Sequence, residues 1–132
     1  MASTVNPNSE INVTYEDQSK INRFAAHNSK MEEVREELKS KEKELANIED
    51  ALKEMDLLSF MDDGFQIMEG EVLVQFTAEE AMEWVTRKKD ELLKDVRSMK
   101  DEVDRIKEEM DKLKAELYSK FGRSNINLES DD

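Results

Sequence analysis

Two long heptad repeats of nearly equal length constrain the fold of this chain more than any other feature. Between residues 24 and 55, apolar residues recur at alternating spacings of three and four, which is typical of a coiled-coil seam and not of a broad globular face. The two seam positions of this first repeat take Phe24, Met31, Leu38, Leu45 and Leu52, and His27, Val34, Lys41, Ile48 and Met55. Those of the second repeat take Met82, Lys89, Val96, Val103, Met110 and Leu117, and Val85, Leu92, Met99, Ile106 and Leu113. The sequence therefore predicts two helices that pair along a narrow apolar seam.

Capping signals mark where each helix begins. Thr77 followed by Glu80 is a full capping box, in which each side chain bonds the backbone N–H of the other residue. Thr14 followed by Asp17 is the same signal in a weaker form, because Asp reaches back less well than Glu. Both threonines are therefore predicted to stand immediately before a helix.

Two glycines stand where the helices are expected to end. Gly64 and Gly122 follow the last seam residues, and glycine is the residue that most readily takes the left-handed conformation beyond a helix end. The predicted boundaries are a disordered segment at 1–12, a helix at about 14–57, a hairpin at about 64–76, a helix at about 78–121 and a flexible acidic tail at 122–132.

The segment between the helices is the only part with strand character. Glu69-Gly70 is predicted as a two-residue turn, because Gly70 can supply the positive φ of a tight hairpin. This turn pairs Ile67 with Val72 and Phe65 with Val74. A two-stranded sheet with one apolar face is not stable alone in water, so other chains are expected to cover the face and pair its edges. The predicted subunit-assembly residues are Phe65, Ile67, Val72, Val74 and Phe76.

Equal helices and a short connector predict that the second helix folds back antiparallel on the first. Seam partners should then have residue numbers that add up to roughly 133 to 138, so that Leu52 lies near Met82 and Val85. The free ends of both helices should meet at one tip, with Tyr15 beside Tyr118 and Phe121. The apolar residues gathered there are Ile21, Phe24, Leu117, Tyr118, Phe121, Ile126 and Leu128. From physics alone, such a cluster is either a core that caps the fold or a binding surface.

Composition excludes several classes of function. The chain has 132 residues, of which 40% are charged, and a net charge of −13, which argues against binding to nucleic acid or to an anionic membrane surface. There is no cysteine, and the single histidine, His27, has no second ligand near it. No phosphate-binding, dinucleotide or nucleophile motif is present. We therefore expect no metal, no cofactor and no enzymatic activity.

Trp84 is a large aromatic residue that lies outside these patterns. It lies off the seam, one turn beyond the hairpin. Packing against the connector and contact with a partner are equally open readings at this point.

Specific strings in the sequence resemble the prefoldin family of co-chaperones. The opening Asn12-Val-Thr-Tyr-Glu-Asp-Gln18 with Lys20-Ile-Asn-Arg-Phe24, and the ending Lys120-Phe-Gly122 with Ser124-Asn-Ile-Asn-Leu-Glu129, are similar to that family's termini. Gly70-Glu-Val-Leu-Val74 is similar to the hairpin of its β class. One hairpin between the helices, instead of two, also indicates the β class. Two departures affect details of the tip and the turn: Arg123 is an apparent insertion, and Glu69 replaces the usual aliphatic residue before the glycine.

The resemblance implies a fold and a function. It implies a prefoldin β-type domain over residues 13–121 whose strands join those of two α-class and three further β-class subunits in an inter-subunit β-barrel. It further implies capture of unfolded actin and tubulin between the coiled-coil tips without ATP, followed by delivery to the cytosolic group II chaperonin. The apolar tip residues would then be the client contact.

Two alternatives stay open beside this hypothesis. One is a structural coiled-coil scaffold or tether that does not bind clients. The other is a nuclear role through transcription-related complexes, for which the sequence offers no basic localisation run. The expected localisation is the cytoplasm.

Overall fold

The computed structural model describes residues 12–60, 63–122 and 126–128. Helix α1 (Tyr15–Leu58) is followed by strands β1 (Phe65–Glu69) and β2 (Val72–Phe76) and by helix α2 (Ala78–Phe121). Each helix has 44 residues, and the two strands form an antiparallel sheet. This order of elements confirms the predicted fold class of two long helices connected by one β-hairpin. Residues 1–11 of the segment expected to be disordered lie outside the described residues, as do 123–125 and 129–132 of the expected tail.

Both predicted capping boxes are formed. The Thr14 N–H donates to Asp17 Oδ2 at 2.9 Å, and the Asp17 N–H donates to Thr14 Oγ1 at 3.1 Å. Before α2, the Thr77 N–H donates to Glu80 Oε1 at 3.1 Å and the Glu80 N–H to Thr77 Oγ1 at 3.2 Å. These bonds satisfy N–H groups that have no partner within a helix. The bond from the Thr77 N–H lowers the pKa of Glu80.

The glycines beyond the helices take the left-handed conformation predicted for them. Gly122 has a φ of 77°, and its N–H donates to the Tyr118 carbonyl at 2.8 Å, which ends α2. Gly64 has a φ of 67°, and a Cβ there would lie 2.2 Å from the Phe76 carbonyl oxygen. Gly64 is therefore required both by its φ and by the close approach of the neighbouring strand.

The strand register differs from the prediction. Phe65 pairs with Phe76, Ile67 with Val74 and Glu69 with Val72, so the turn is Gly70-Glu71 and not Glu69-Gly70. Gly70 has a φ of 62° and no other residue type has a positive φ among the described residues, which places glycine at the first central position, as in type II′ turns. The error is two residues. Because side chains alternate with a period of two, every side chain keeps its predicted face.

The contacts divide the chain into two compact units, which are named here by what they contain. The end unit comprises Met1–Glu36 and Lys100–Asp132, and the hairpin unit comprises Glu37–Met99. In the end unit, ion pairs join Lys20 to Glu116 and Asp17 to Lys120.

The residue numbers of these two ion pairs, which join α1 to α2, add up to values in the predicted range, and this confirms antiparallel pairing in the end unit. The hairpin unit has its own core of Met55, Ala81 and Val85. Leu52 and Met82 pack against this core, again as the predicted register requires.

Candidate assembly and client-binding surfaces

The face of the hairpin predicted for assembly is partly used by the chain itself. Phe65, Ile67 and Phe76 are half-buried and pack against the core of the hairpin unit. Val74 is also half-buried, whereas Val72, at the end of the hairpin, is 63% exposed. A single apolar face folds onto the adjacent helix ends because this removes apolar area from water without another chain. Four of the five predicted assembly residues are therefore only partly accessible in this structure.

The opposite face of the hairpin is also apolar at its centre. Met68 and Leu73 are direct cross-strand partners, and they are 58% and 56% exposed. They were not among the predicted assembly residues, although both faces of the strands carry apolar side chains in the sequence. That pattern is typical of a strand buried on both sides.

The last turn of α1 and the residues after it add further exposed apolar side chains. Leu57 is 73% exposed, Leu58 is 43% exposed and Phe60 is 80% exposed. Large exposed apolar side chains concentrated in one part of a chain indicate a contact with another molecule. We call this set the hairpin apolar residues: Leu57, Leu58, Phe60, Met68, Val72 and Leu73.

The sheet offers backbone groups for pairing in addition to these side chains. Within the described residues it has two strands and therefore two open edges, whose N–H and C=O groups can accept strands from other chains. Gln75 holds the start of the hairpin in place, because its Nε2 donates to the Asp63 carbonyl at 2.8 Å.

Trp84 packs against the connector, which was one of its two open readings. Its ring centroid lies 6.3 Å from that of Phe76, at an interplanar angle of 36°, and Lys88 Nζ lies 5.2 Å from the Trp84 ring. The half-buried indole also forms part of a groove of about 540 Å³ in the hairpin unit, where Ile48 and Leu92 contribute to the apolar wall.

The predicted tip residues come together in the end unit as a closed core. Six of them are at most 6% exposed: Ile21, Phe24, Leu117, Phe121, Ile126 and Leu128. Tyr118 is half-buried, and its hydroxyl accepts a hydrogen bond from the Leu128 N–H at 3.3 Å. The described part of the expected tail, residues 126–128, is thus held against the end of α2. In this structure the cluster caps the fold, which was one of its two open readings.

Tyr15 lies differently from the sequence prediction. It was expected beside Tyr118 and Phe121, but it is 89% exposed, so it does not share their core. Val13 is also exposed, at 38%. These two residues, and not the predicted tip residues, are the large apolar side chains that the end unit presents to solvent among its described residues.

An ion pair between a buried Asp17 and an exposed Lys120 joins the two helices of the end unit. The Asp17 side chain is 7% exposed and accepts a hydrogen bond from Lys120 Nζ. This bond, with a second from the Thr14 backbone N–H, lowers the pKa of Asp17 from 3.8 to about 2. Lys20 Nζ lies 2.8 Å from Glu116 Oε2, and this contact raises the pKa of Lys20 and lowers that of Glu116.

The described residues contain no cluster of metal-ligating side chains and no helix that could span a membrane. No group of three or more His, Asp or Glu side chains there could hold a metal ion. Neither helix has an apolar stretch that could cross a bilayer.

These surfaces define the class of protein to which the chain belongs. Two paired helices are joined by a short sheet with open edges, and the large exposed apolar side chains near that sheet remain without cover. Open sheet edges and exposed apolar side chains are typical of a subunit that assembles with other chains.

Comparisons with known proteins identify the family. A family model described as "Prefoldin subunit" matches residues 18–124. The chain is 38% identical over 125 residues to prefoldin subunit 4 of Bos taurus and of Homo sapiens, which covers 93% of this chain and 91% of each relative. It is also 38% identical over 123 residues to a probable prefoldin subunit 4 of Drosophila melanogaster, over 93% of this chain and 88% of the relative. The chain belongs to the prefoldin subunit family, whose members are chaperone subunits that assemble with one another.

A solved structure agrees with this assignment at the level of the fold. The prefoldin beta subunit from Thermococcus strain KS-1 matches with a TM-score of 0.74 over 83% of this chain and 96% of that chain, at 19% identity. The opening and ending strings of the sequence resemble the fourth subunit of eukaryotic prefoldin, in agreement with the animal relatives.

Proposed function

We propose that this chain is one subunit of a hetero-hexameric, ATP-independent co-chaperone that captures unfolded proteins such as actin and tubulin and delivers them to the cytosolic chaperonin. Family membership supports the chaperone class. The observation that carries the proposal further is the set of hairpin apolar residues beside two open sheet edges. A chain that works alone gains nothing from such a surface, whereas a subunit needs it.

The proposed assembly joins this hairpin to strands of two α-class and three further β-class subunits. Closing strands into a barrel removes every open edge. Phe65, Ile67, Val72, Val74 and Phe76 would face the barrel interior. Four of them are already half-buried in the single chain, and the exposed Val72 would become covered there. Met68 and Leu73 add apolar area on the opposite face, where a neighbouring subunit would cover it.

The proposed client contact is the end unit. Ile21, Phe24 and Phe121 are buried there, so a client that uses them must displace part of the core, whereas Val13 and Tyr15 are already accessible. Several weak contacts from six tips can act together, because linked sites raise the effective concentration of each. Holding an unfolded chain in this way opposes its aggregation by mass action and requires no covalent step.

The remaining features of the proposal follow from this role. Residues 13–121 form one prefoldin β-type domain, which acts as a binding module without catalysis or cofactor. The subunit works in the cytoplasm, where its clients are made. A nuclear role for the same subunit, through transcription-related complexes, is the third hypothesis.

Assembly is tested by placing a charge on the hairpin. Leu73→Asp in this chain, mixed with its five sister subunits, should prevent entry into the hexamer measured by native mass spectrometry, because the charge would be buried without a partner. Ser40→Asp adds the same charge at an exposed position outside the hairpin, so it is the matched control and should enter normally. Equal entry of both variants would show that this face of the hairpin is not an assembly surface.

Client capture is tested with the assembled complex. Suppression of the aggregation of unfolded actin should fall when Tyr15→Ser is present, while assembly is unchanged. A complex that contains the parent chain and suppresses no aggregation would favour the scaffold alternative. If the complex with Tyr15→Ser suppresses aggregation as well as the parent complex, the client contact does not depend on Tyr15.

A further inference from the structure

Acidic side chains surround the hairpin apolar residues without any positive charge among them. Residues 54–83 contain nine Asp and Glu residues and no Lys, Arg or His, so this stretch holds nine of the thirteen net negative charges. They are Glu54, Asp56, Asp62, Asp63, Glu69, Glu71, Glu79, Glu80 and Glu83. The eight whose positions the structure describes are all exposed, and none of these eight forms an ion pair. The hairpin apolar residues and these carboxylates therefore lie in the same segment, residues 54–83.

The short strands bring this charge close to any chain that pairs with the sheet. Each strand has five residues, which is a length of about 17 Å. Glu69 ends β1, and Glu71 lies in the turn beside it. A strand added to β1 would lie about 4.8 Å from it, so the residues placed opposite Glu69 would be well within the Debye length of roughly 10 Å at ~0.1 M salt.

A second copy of this chain is a poor partner for such a surface. Edge-to-edge pairing of two copies would bring two sets of carboxylates together, and like charges across paired strands are destabilising. A partner with Lys or Arg beside an apolar strand would instead gain from the same charges.

We propose that the hairpin selects its neighbour by charge: the strand that pairs with it comes from a prefoldin subunit that presents Lys or Arg beside its apolar positions, and a second copy of this chain is excluded. This inference rests on the proposed function, because it takes the hairpin as the assembly surface. The apolar residues supply contact area, and the acidic residues determine which chain may provide the strand.

The exclusion of a second copy is tested by neutralising the turn. Glu69→Gln with Glu71→Gln should self-associate at a concentration about tenfold lower than the parent chain at low salt, because repulsion between the carboxylates of the two copies is removed. Glu36→Gln with Glu37→Gln removes the same charge from exposed positions outside the hairpin and should behave as the parent. Sedimentation equilibrium at ~20 mM and ~500 mM salt measures the self-association of both double variants and of the parent. High salt should reduce the difference in self-association between the hairpin variant and the parent. Equal self-association of the two double variants would overturn the exclusion.

The preference for a basic neighbour is tested in the full complex. Glu69→Lys with Glu71→Lys, mixed with the five sister subunits, should enter the hexamer with an affinity at least about tenfold lower than the parent at low salt. Glu36→Lys with Glu37→Lys should enter as the parent does, and helical content by circular dichroism should be unchanged in both.

The outcomes of this second test separate the two proposals. If the parent does not enter a complex with its sisters, the proposed function fails and the inference fails with it. If the parent enters and the hairpin variant enters equally well, the proposed function stands and the charge selection is wrong.

Discussion

The ion pair between Asp17 and Lys120 should make the stability of the end unit depend on acid. Its free energy can be worked from the pKa of Asp17, which is 3.8 in an unfolded chain and about 2 here. A shift of this size corresponds to about 2.4 kcal/mol, and because the Lys120 side chain is 40% exposed, screening by solvent reduces it to ~1–2 kcal/mol. The folded-state pKa is depressed, so this stabilisation is fully present above pH 3.8 and is lost as the pH falls towards 2.

Asp17→Asn isolates this contribution. The Asn side-chain oxygen can still accept the bond from the Thr14 N–H, so the cap is kept while the charge is removed. Urea unfolding of the purified chain, followed by circular dichroism at pH 7, should show a free energy of unfolding lower by ~1–2 kcal/mol than that of the parent. Near pH 2 the two proteins should unfold at nearly the same urea concentration.

Glu16→Gln is the matched control for this experiment. Glu16 is an exposed acidic residue in the same first turn of α1, so its replacement removes the same charge from the helix N-terminus. The change in unfolding free energy should stay below about 0.5 kcal/mol. A difference between parent and Asp17→Asn that is the same at pH 7 and at pH 2 would refute the reasoning, because it could not come from the carboxylate.

Three further substitutions test the packing and the turns. Gly64→Ala should lower the free energy of unfolding by more than ~2 kcal/mol, because the new Cβ would meet the Phe76 carbonyl. Gly70→Ala should lower it by only about 1 kcal/mol, because the new Cβ has open space and only the positive φ is unfavourable. Thermal melts in which Gly70→Ala is the less stable variant would contradict this. Phe121→Ala should lower the free energy of unfolding by ~3–5 kcal/mol in urea, because the residue is 1% exposed. Tyr15→Ala should change it by less than about 0.5 kcal/mol, because Tyr15 is 89% exposed. Similar losses for the two variants would mean that the end unit has no specific core. Thr77→Ala removes the hydroxyl that accepts the hydrogen bond from the Glu80 N–H, and it should lower the free energy of unfolding by ~1 kcal/mol. Amide hydrogen exchange should become faster only in the first turn of α2. Unchanged exchange there would show that the cap is not needed.

The parts of the fold that depend on nearby residues were predictable from the sequence. The seam positions, both capping boxes and the left-handed Gly64 and Gly122 each follow from residues within one or two turns of one another. The antiparallel register was predictable as well, because equal helix lengths leave few ways to align the two runs. The Lys20–Glu116 pair lies where that alignment places it.

The features that the sequence did not determine are of two kinds. One is the choice between two possible turn positions, and the other is burial that depends on residues distant in the sequence. Gly70 can occupy either central position of a two-residue turn, and the sequence around it does not decide between them, so the predicted register was wrong by two residues. The burial of Ile126 could not be predicted, because it depends on how the chain after α2 returns to the helices. The exposure of Met68 and Leu73 required knowing that the other face of the hairpin packs on its own helices.

The exposed state of the hairpin apolar residues has a consequence for how much of this protein a cell can safely hold. A copy without its neighbours displays large apolar side chains and unpaired strand edges, which are the features that proteases and other chaperones recognise in damaged proteins. We therefore expect the lifetime of the chain to depend on the supply of its sister subunits. Synthesis in excess of them would increase degradation and not the number of working complexes.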